Sequence, residues 1–85
     1  MKTFEYTVTD EMGIHARPAG LIAKAAKELS SEIVISKDGR SAVCTKVMAI
    51  MGLGVKCGDR ITVTINGGDE KAAEKAMREL FEANL

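Results

Sequence analysis

The amino-acid sequence predicts an α+β fold, an open-faced β-sandwich in which one four-stranded antiparallel sheet carries three helices on one face. Three observations lead there. Four short segments alternate apolar and polar residues, three others have helical spacing, and the two kinds interleave as β-α-β-β-α-β-α. Strands that alternate bury only one face, so all the helices must cover the same apolar side.

The first segment places Phe4, Tyr6 and Val8 on one face and Thr3, Glu5, Thr7 and Thr9 on the other, the pattern of a half-exposed strand. After the loop Asp10-Glu11-Met12-Gly13, residues Ala16 to Leu29 set Ala19, Ile22, Ala23, Ala26 and Leu29 at helical spacing, with Lys24 and Lys27 directed elsewhere. Pro18 falls in the opening turn, where its missing N–H would have had no partner and its fixed φ suits a helix. Glu32–Lys37 and Arg40–Cys44 read as two strands of a hairpin turned at Asp38-Gly39, because both turn residues tolerate positive φ. Val47, Met48, Ile50 and Met51 form a short helical cluster ended by Gly52 and Gly54. Ile61, Val63 and Ile65 alternate with Thr62 and Thr64 in the fourth strand. Asn66-Gly67-Gly68 then turns the chain into Asp69, a good N-cap for a helix from Glu70 to Ala83 that buries Ala73, Ala76, Met77 and Leu80. A right-handed crossover between the first two strands, combined with the hairpin, favours the sheet order 1-4-2-3.

Composition narrows the function classes. A chain of 85 residues has apolar surface for one core, so a single domain over residues 1–85 is expected. Twelve Lys and Arg balance twelve Asp and Glu, leaving no global field that would draw the protein onto nucleic acid or an anionic membrane. The apolar runs fall far below the roughly 20 residues that span a bilayer. The N-terminus MKTFEYTVTD lacks a signal-peptide apolar region, so a cytoplasmic location without membrane insertion is expected. Cys44 and Cys57 have no C-x-x-C spacing and only one histidine to supplement them, which disfavours a metal site and leaves them a role as small buried or half-buried residues. Neither a cofactor motif nor a catalytic triad is present, so no cofactor is expected.

The candidate functional residue is the one histidine, His15, at the start of the first helix. A helix start carries N–H groups without intrahelical partners and the positive end of the macrodipole, which together favour phosphate. A phosphorylated His15 would be dianionic and open to stabilisation by the backbone N–H groups of Ala16 and Arg17 and by the Arg17 guanidinium. Gly13 permits a tight approach of the loop, and Pro18 stiffens the first turn.

The stretch Gly13-Ile14-His15-Ala16-Arg17-Pro18-Ala19-Gly20 resembles the active-site segment of the HPr family, the histidine-containing phosphocarriers of the phosphoenolpyruvate-dependent sugar phosphotransferase system. The likeness extends through Lys46-Val47-Met48-Ala49-Ile50-Met51-Gly52-Leu53-Gly54 and the Gly67/Asp69 approach to the last helix, over essentially the whole chain. It implies that enzyme I, the phosphoenolpyruvate-protein phosphotransferase, phosphorylates His15 on Nδ1. Arg17 would attend the phosphoryl group, which passes to the IIA domains of sugar permeases. The chain would then be a covalent phosphoryl-transfer intermediate, acting as a monomer, rather than a stand-alone enzyme. An HPr-like regulatory or nitrogen-branch paralogue acting through protein binding is the alternative.

A docking face is expected around His15. Gly20, Leu21 and Lys24 would lie on the exposed side of the first helix, with Lys24 and Lys27 steering acidic partners and Met48 and Met51 protruding from the short helix. The resemblance adds Val47 and places partner binding on the same face. Two departures stand out. Many family members carry a regulatory serine where this chain has Lys46, which has no hydroxyl to phosphorylate, so serine-based control is not expected; neighbouring Thr45 is expected to cap the short helix. Met12 replaces a small polar residue frequent in the family, so the loop before His15 is expected to be held differently.

Overall fold

The computed structural model describes residues 1–85. Its elements are β1 (Lys2–Thr7), α1 (Ala16–Glu28), β2 (Glu32–Lys37), β3 (Arg40–Val43), α2 (Val47–Gly52), β4 (Arg60–Asn66) and α3 (Glu70–Asn84). The expected order is observed, with differences of one or two residues at several ends. The sheet runs β1-β4-β2-β3 and every pairing is antiparallel.

Register explains the core. Val63 in the central strand stands opposite Phe4 on one side and Ile35 on the other, so alternate residues of three strands fall into one apolar row under the helices. All seven elements contribute to a core of 20 buried residues, including Ile22 of α1, Ile50 of α2 and Phe81 of α3. On the opposite face β4 exposes Thr62 and Thr64 in part, as its alternation requires. Asp38 (φ 52°) and Gly39 (φ 80°) turn the β2–β3 hairpin through two positive-φ positions, the geometry that matches strand twist.

Helix α3 departs from the expected stripe. Ala73 and Met77 are buried, but the stripe continues to Phe81, while Ala76 and Leu80 are only half-buried at its flank. Phe81 gathers the remaining aromatic residues of the chain. Its ring lies 6.0 Å from that of Phe4 and 5.5 Å from that of Tyr6 in an edge arrangement, and the Tyr6 hydroxyl donates to the Phe81 carbonyl at 3.1 Å. Burial of such a ring stabilises the fold by about 1.5–3 kcal/mol, and edge-to-face packing adds about 0.5–1.5 kcal/mol. Asp69 caps α3 as expected, its carboxylate accepting from the Ala72 N–H at 3.1 Å.

Thr45 does not cap α2. The N-cap position falls one residue later, on Lys46, which offers no acceptor, and no side-chain cap bond forms. The far end of α2 is better served: Arg40 donates to the Gly52 carbonyl at 2.8 Å and Lys37 to that of Gly54 at 3.1 Å. Both cations sit at the negative end of the helix dipole. No helix is long and apolar enough to cross a membrane.

Candidate functional site

His15 occupies the N-cap position of α1 in extended backbone (φ −107°, ψ −171°), and its side chain makes no capping bond. The His15 carbonyl accepts the first bond of the helix, from the Ala19 N–H at 3.0 Å. The N–H groups of Ala16 and Arg17 have no protein acceptor, and Pro18 has no N–H to place. No acidic residue stands in the first turn, so the positive end of α1 is not neutralised by its own side chains. Arg17 is exposed and forms neither an ion pair nor a side-chain hydrogen bond. A half-buried imidazole, two open N–H groups and a free guanidinium therefore meet at one helix end, an arrangement suited to an anion attached to the ring.

The loop that delivers His15 is fixed by backbone contacts. Asp10 closes a small turn, its carboxylate accepting from the Met12 N–H at 2.8 Å and its carbonyl from the Gly13 N–H at 2.9 Å. The turn is thus held by the side chain of residue 10, and the Met12 side chain is left 69% exposed with no bond to make. Gly13 follows at φ 64°, so close to the β4 approach that a Cβ there would meet the Val55 carbonyl oxygen and come within 2.7 Å of the Lys56 Cα. Only glycine suits both the angle and the space. One residue on, the Ile14 N–H donates to the Val55 carbonyl at 3.1 Å while the Ile14 side chain is buried in the core. His15 is the next residue, so its position follows from Val55.

The segment containing Val55 is itself a closed turn. The Asp59 N–H donates to the Lys56 carbonyl at 3.0 Å, and the Asp59 carboxylate accepts from the Lys56 N–H at 2.8 Å. Gly58 takes the positive φ of 90° that such a turn needs. Lys37 reaches across from the end of β2 and pairs with Asp59 at 2.8 Å. The Lys37 hydrogen bond, followed by that from the Lys56 N–H, holds the Asp59 carboxyl below the usual carboxylate range.

Around His15 the expected docking residues fall on α1 and α2, which pack against each other. Leu21 is 38% exposed and Met48 78% exposed, while Lys24, Lys27 and Lys46 are all exposed. Gly20, Val47 and Met51 are half-buried, and Val47 and Met51 lean on the core. The two methionines thus differ: Met48 protrudes as expected, and Met51 shares its surface with the interior. Of the cysteines, both free, Cys44 is buried as expected, and its enclosure pushes the thiol pKa up to about 12. Cys57 departs from expectation by being exposed, its Sγ 3.6 Å from the Thr9 carbonyl oxygen at the rim of the Val55 turn. Asp10 before Gly13 and Asp59 after Gly58 carry local turn signals that could have been read, whereas the contribution of Val55 and Lys37 to the site has no local signature in the sequence.

The structure is an open sandwich of one sheet and three helices, with its one histidine at the start of α1 and away from the surface depression along α3. A family model described as "PTS HPr component phosphorylation site" matches residues 2–83. Phosphocarrier protein HPr of Mycoplasma genitalium is 34% identical over 85 residues, covering 99% of this chain and 97% of its own. The HPr of Lysinibacillus sphaericus is 36% identical, with coverage of 95% and 92%. Among solved structures, HPr from Thermoanaerobacter tengcongensis superposes with a TM-score of 0.91 at 36% identity, over 98% of this chain and 93% of the other. The chain belongs to the HPr family of phosphocarrier proteins of the phosphotransferase system.

Proposed function

We propose that His15 is the residue through which this HPr-family protein carries phosphate, receiving it from enzyme I and giving it to IIA domains of sugar permeases. One observation above all supports the reading: the imidazole stands free at the start of α1, beside the unpartnered N–H groups of Ala16 and Arg17. Unprotonated Nδ1 attacks phosphorus of the phosphorylated donor, the bond to the donor's leaving nitrogen breaks, and the donor recovers its lone pair. The product is a dianionic phosphoimidazole. Charge-assisted bonds from the two N–H groups and from Arg17 hold that charge without burying it, so the group stays transferable. The return step to an IIA histidine is the same exchange in the opposite sense.

Leu21 and Met48 form the apolar centre of the docking face, with Gly20, Val47 and Met51 beneath it and Lys24 and Lys27 on its rim. Met48 adapts to more than one partner surface, and the lysines favour acidic ones. Lys46 adds a permanent cation to the rim, where no serine can receive a negative charge. All these groups come from one copy of the chain, so a monomer suffices for the transfer.

The test is a reconstitution. With phosphoenolpyruvate and enzyme I the protein acquires one acid-labile phosphate, and His15→Ala acquires none. A purified IIA domain and sugar then discharge it. Stable phosphorylation of His15 that no sugar-permease IIA domain discharges would instead favour the nitrogen-branch or regulatory paralogue.

A further inference from the structure

We infer that Lys37 is a positioning residue for His15, acting as a two-point strap that fixes the turn from which the phosphohistidine loop hangs. The inference rests on the reading of His15 as the phosphate carrier. Lys37 Nζ lies 3.1 Å from the Gly54 carbonyl oxygen and 2.8 Å from Asp59 Oδ2. Those two anchors bracket Val55, whose carbonyl accepts the Ile14 N–H at 3.1 Å, one residue before His15. Gly13 is seated against the backbone of Val55 and Lys56 as well, so the loop has two contacts on the strapped turn.

Leu53 and Val55 pin the start of the turn by their buried side chains, but its backbone has few polar ties there. The turn joins α2 to β4 through two glycines at positive φ, Gly54 at 66° and Gly58 at 90°, and glycine leaves the backbone the most freedom to lose. Its own bonds, between Lys56 and Asp59, close it on itself without fixing it to the sheet at the Gly54 end. At the other end Val8 and the turn are joined by two bonds, Val8 N–H to the Asp59 carbonyl at 2.9 Å and Gly58 N–H to the Val8 carbonyl at 2.7 Å. Lys37 adds a polar tie at the Gly54 end, from the last residue of β2, and its side chain is only 18% exposed. Arg40, on the neighbouring strand, provides an internal comparison. It also donates to a carbonyl at the end of α2, that of Gly52, and makes no ion pair with the Val55 turn.

Three variants test the strap: Lys37→Met, Lys37→Arg and Arg40→Met. In Lys37→Met the Ile14 amide exchanges with solvent about ten times faster while the β4 amides keep their protection, a local loosening rather than global unfolding. Phosphorylation by enzyme I shows kcat reduced about tenfold at an unchanged KM, since the docking residues are intact and misplacement of a reacting group costs rate. Lys37→Arg restores both readings, and Arg40→Met matches the parent protein in both. Should Lys37→Met not fold, Asp59→Asn removes the charged anchor at little cost in shape and is read in the same way. The inference is overturned if Ile14 exchange is unchanged, if β4 amides lose protection in parallel, or if Arg40→Met has the same effect. A parent protein that enzyme I does not phosphorylate refutes the carrier reading alone, because Ile14 exchange then still decides whether the strap exists.

Discussion

Replacing Gly13 with alanine separates this geometry from a loop that merely connects two elements. At φ 64° an alanine pays for left-handed backbone by about 1–2 kcal/mol. Its Cβ would also overlap the Val55 carbonyl oxygen and lie 2.7 Å from the Lys56 Cα, both backbone atoms of a closed turn that cannot rotate aside. The loop must therefore lift, and the Ile14-to-Val55 hydrogen bond is lost, at about 1 kcal/mol. Together Gly13→Ala should lower stability by about 2–3 kcal/mol, a large share of the 5–15 kcal/mol typical of small proteins. Urea denaturation followed by circular dichroism measures this, with Gly20→Ala for comparison. Gly20 lies inside α1 with no atom within 4 Å of its missing Cβ, so that change should raise stability by about 0.5–1 kcal/mol. Phosphorylation of Gly13→Ala, assayed where it is still folded, should be slowed because His15 moves with the loop. A stability loss below about 0.5 kcal/mol together with an unaltered transfer rate would refute the account of how His15 is placed.

Met48→Asp should leave the unfolding free energy from urea titration within about 0.5 kcal/mol of the parent while slowing transfer, whereas Met51→Asp should also destabilise, because its side chain leans on the core; equal stability losses would contradict the difference in burial. The Cys44 thiol, held near 12, stays protonated in the folded protein as the unfolded chain ionises from about its ordinary value of 9.0 upward. Stability is therefore complete below pH 9 and falls as pH rises toward 12, by up to about 4 kcal/mol for this group; the alkaline slope should flatten in Cys44→Ala, and in the native parent only Cys57 should react with a thiol reagent. On the acid side, Asp59 is held low by Lys37 and the Lys56 N–H, and Glu70 by the N-terminal ammonium and the Gly67 N–H. Their contribution is present above the ordinary carboxylate range, around pH 4, and is lost as pH falls through the depressed values; urea midpoints between pH 5 and 3 should fall less steeply in Asp59→Asn.

Much of this architecture is legible along the chain because its signals are local. Alternation in Ile61, Val63 and Ile65, the Asp38-Gly39 turn and the Asp69 cap each depend on neighbours within a few residues, and each is found where it is expected. The stripe of α3 lies between two overlapping spacings, since Ala76 and Leu80 fit helical periodicity as well as Phe81 does. What decides for Phe81 is the ring of Phe4 and the hydroxyl of Tyr6, both more than 70 positions away. Thr45 failed as a cap for a related reason, since the hairpin fixes where β3 ends and α2 then begins one residue too late for it. The helix start marks His15 and Arg17 only as neighbours of an anion-favouring end, and it is the family resemblance of the Gly13–Gly20 stretch that singles them out. Their support is not legible, because Lys37 and Asp59 stand 22 positions apart and nothing near either marks them as partners.

The absence of a concavity at His15 bears on how phosphate is kept. The one surface depression lies along α3 and includes Lys71, Lys75 and Glu79, on a helix that does not carry the histidine. On the reading of His15 as the carrier, a phosphoryl group there would stand on an open surface, with water able to approach from the solvent side. For such a group to last, no side chain of the protein should activate that water, and the groups that speed its transfer would have to come from each partner. In that division of labour the protein would set the address and the lifetime of the cargo, and the rate of each exchange would belong to the pair of proteins that meet.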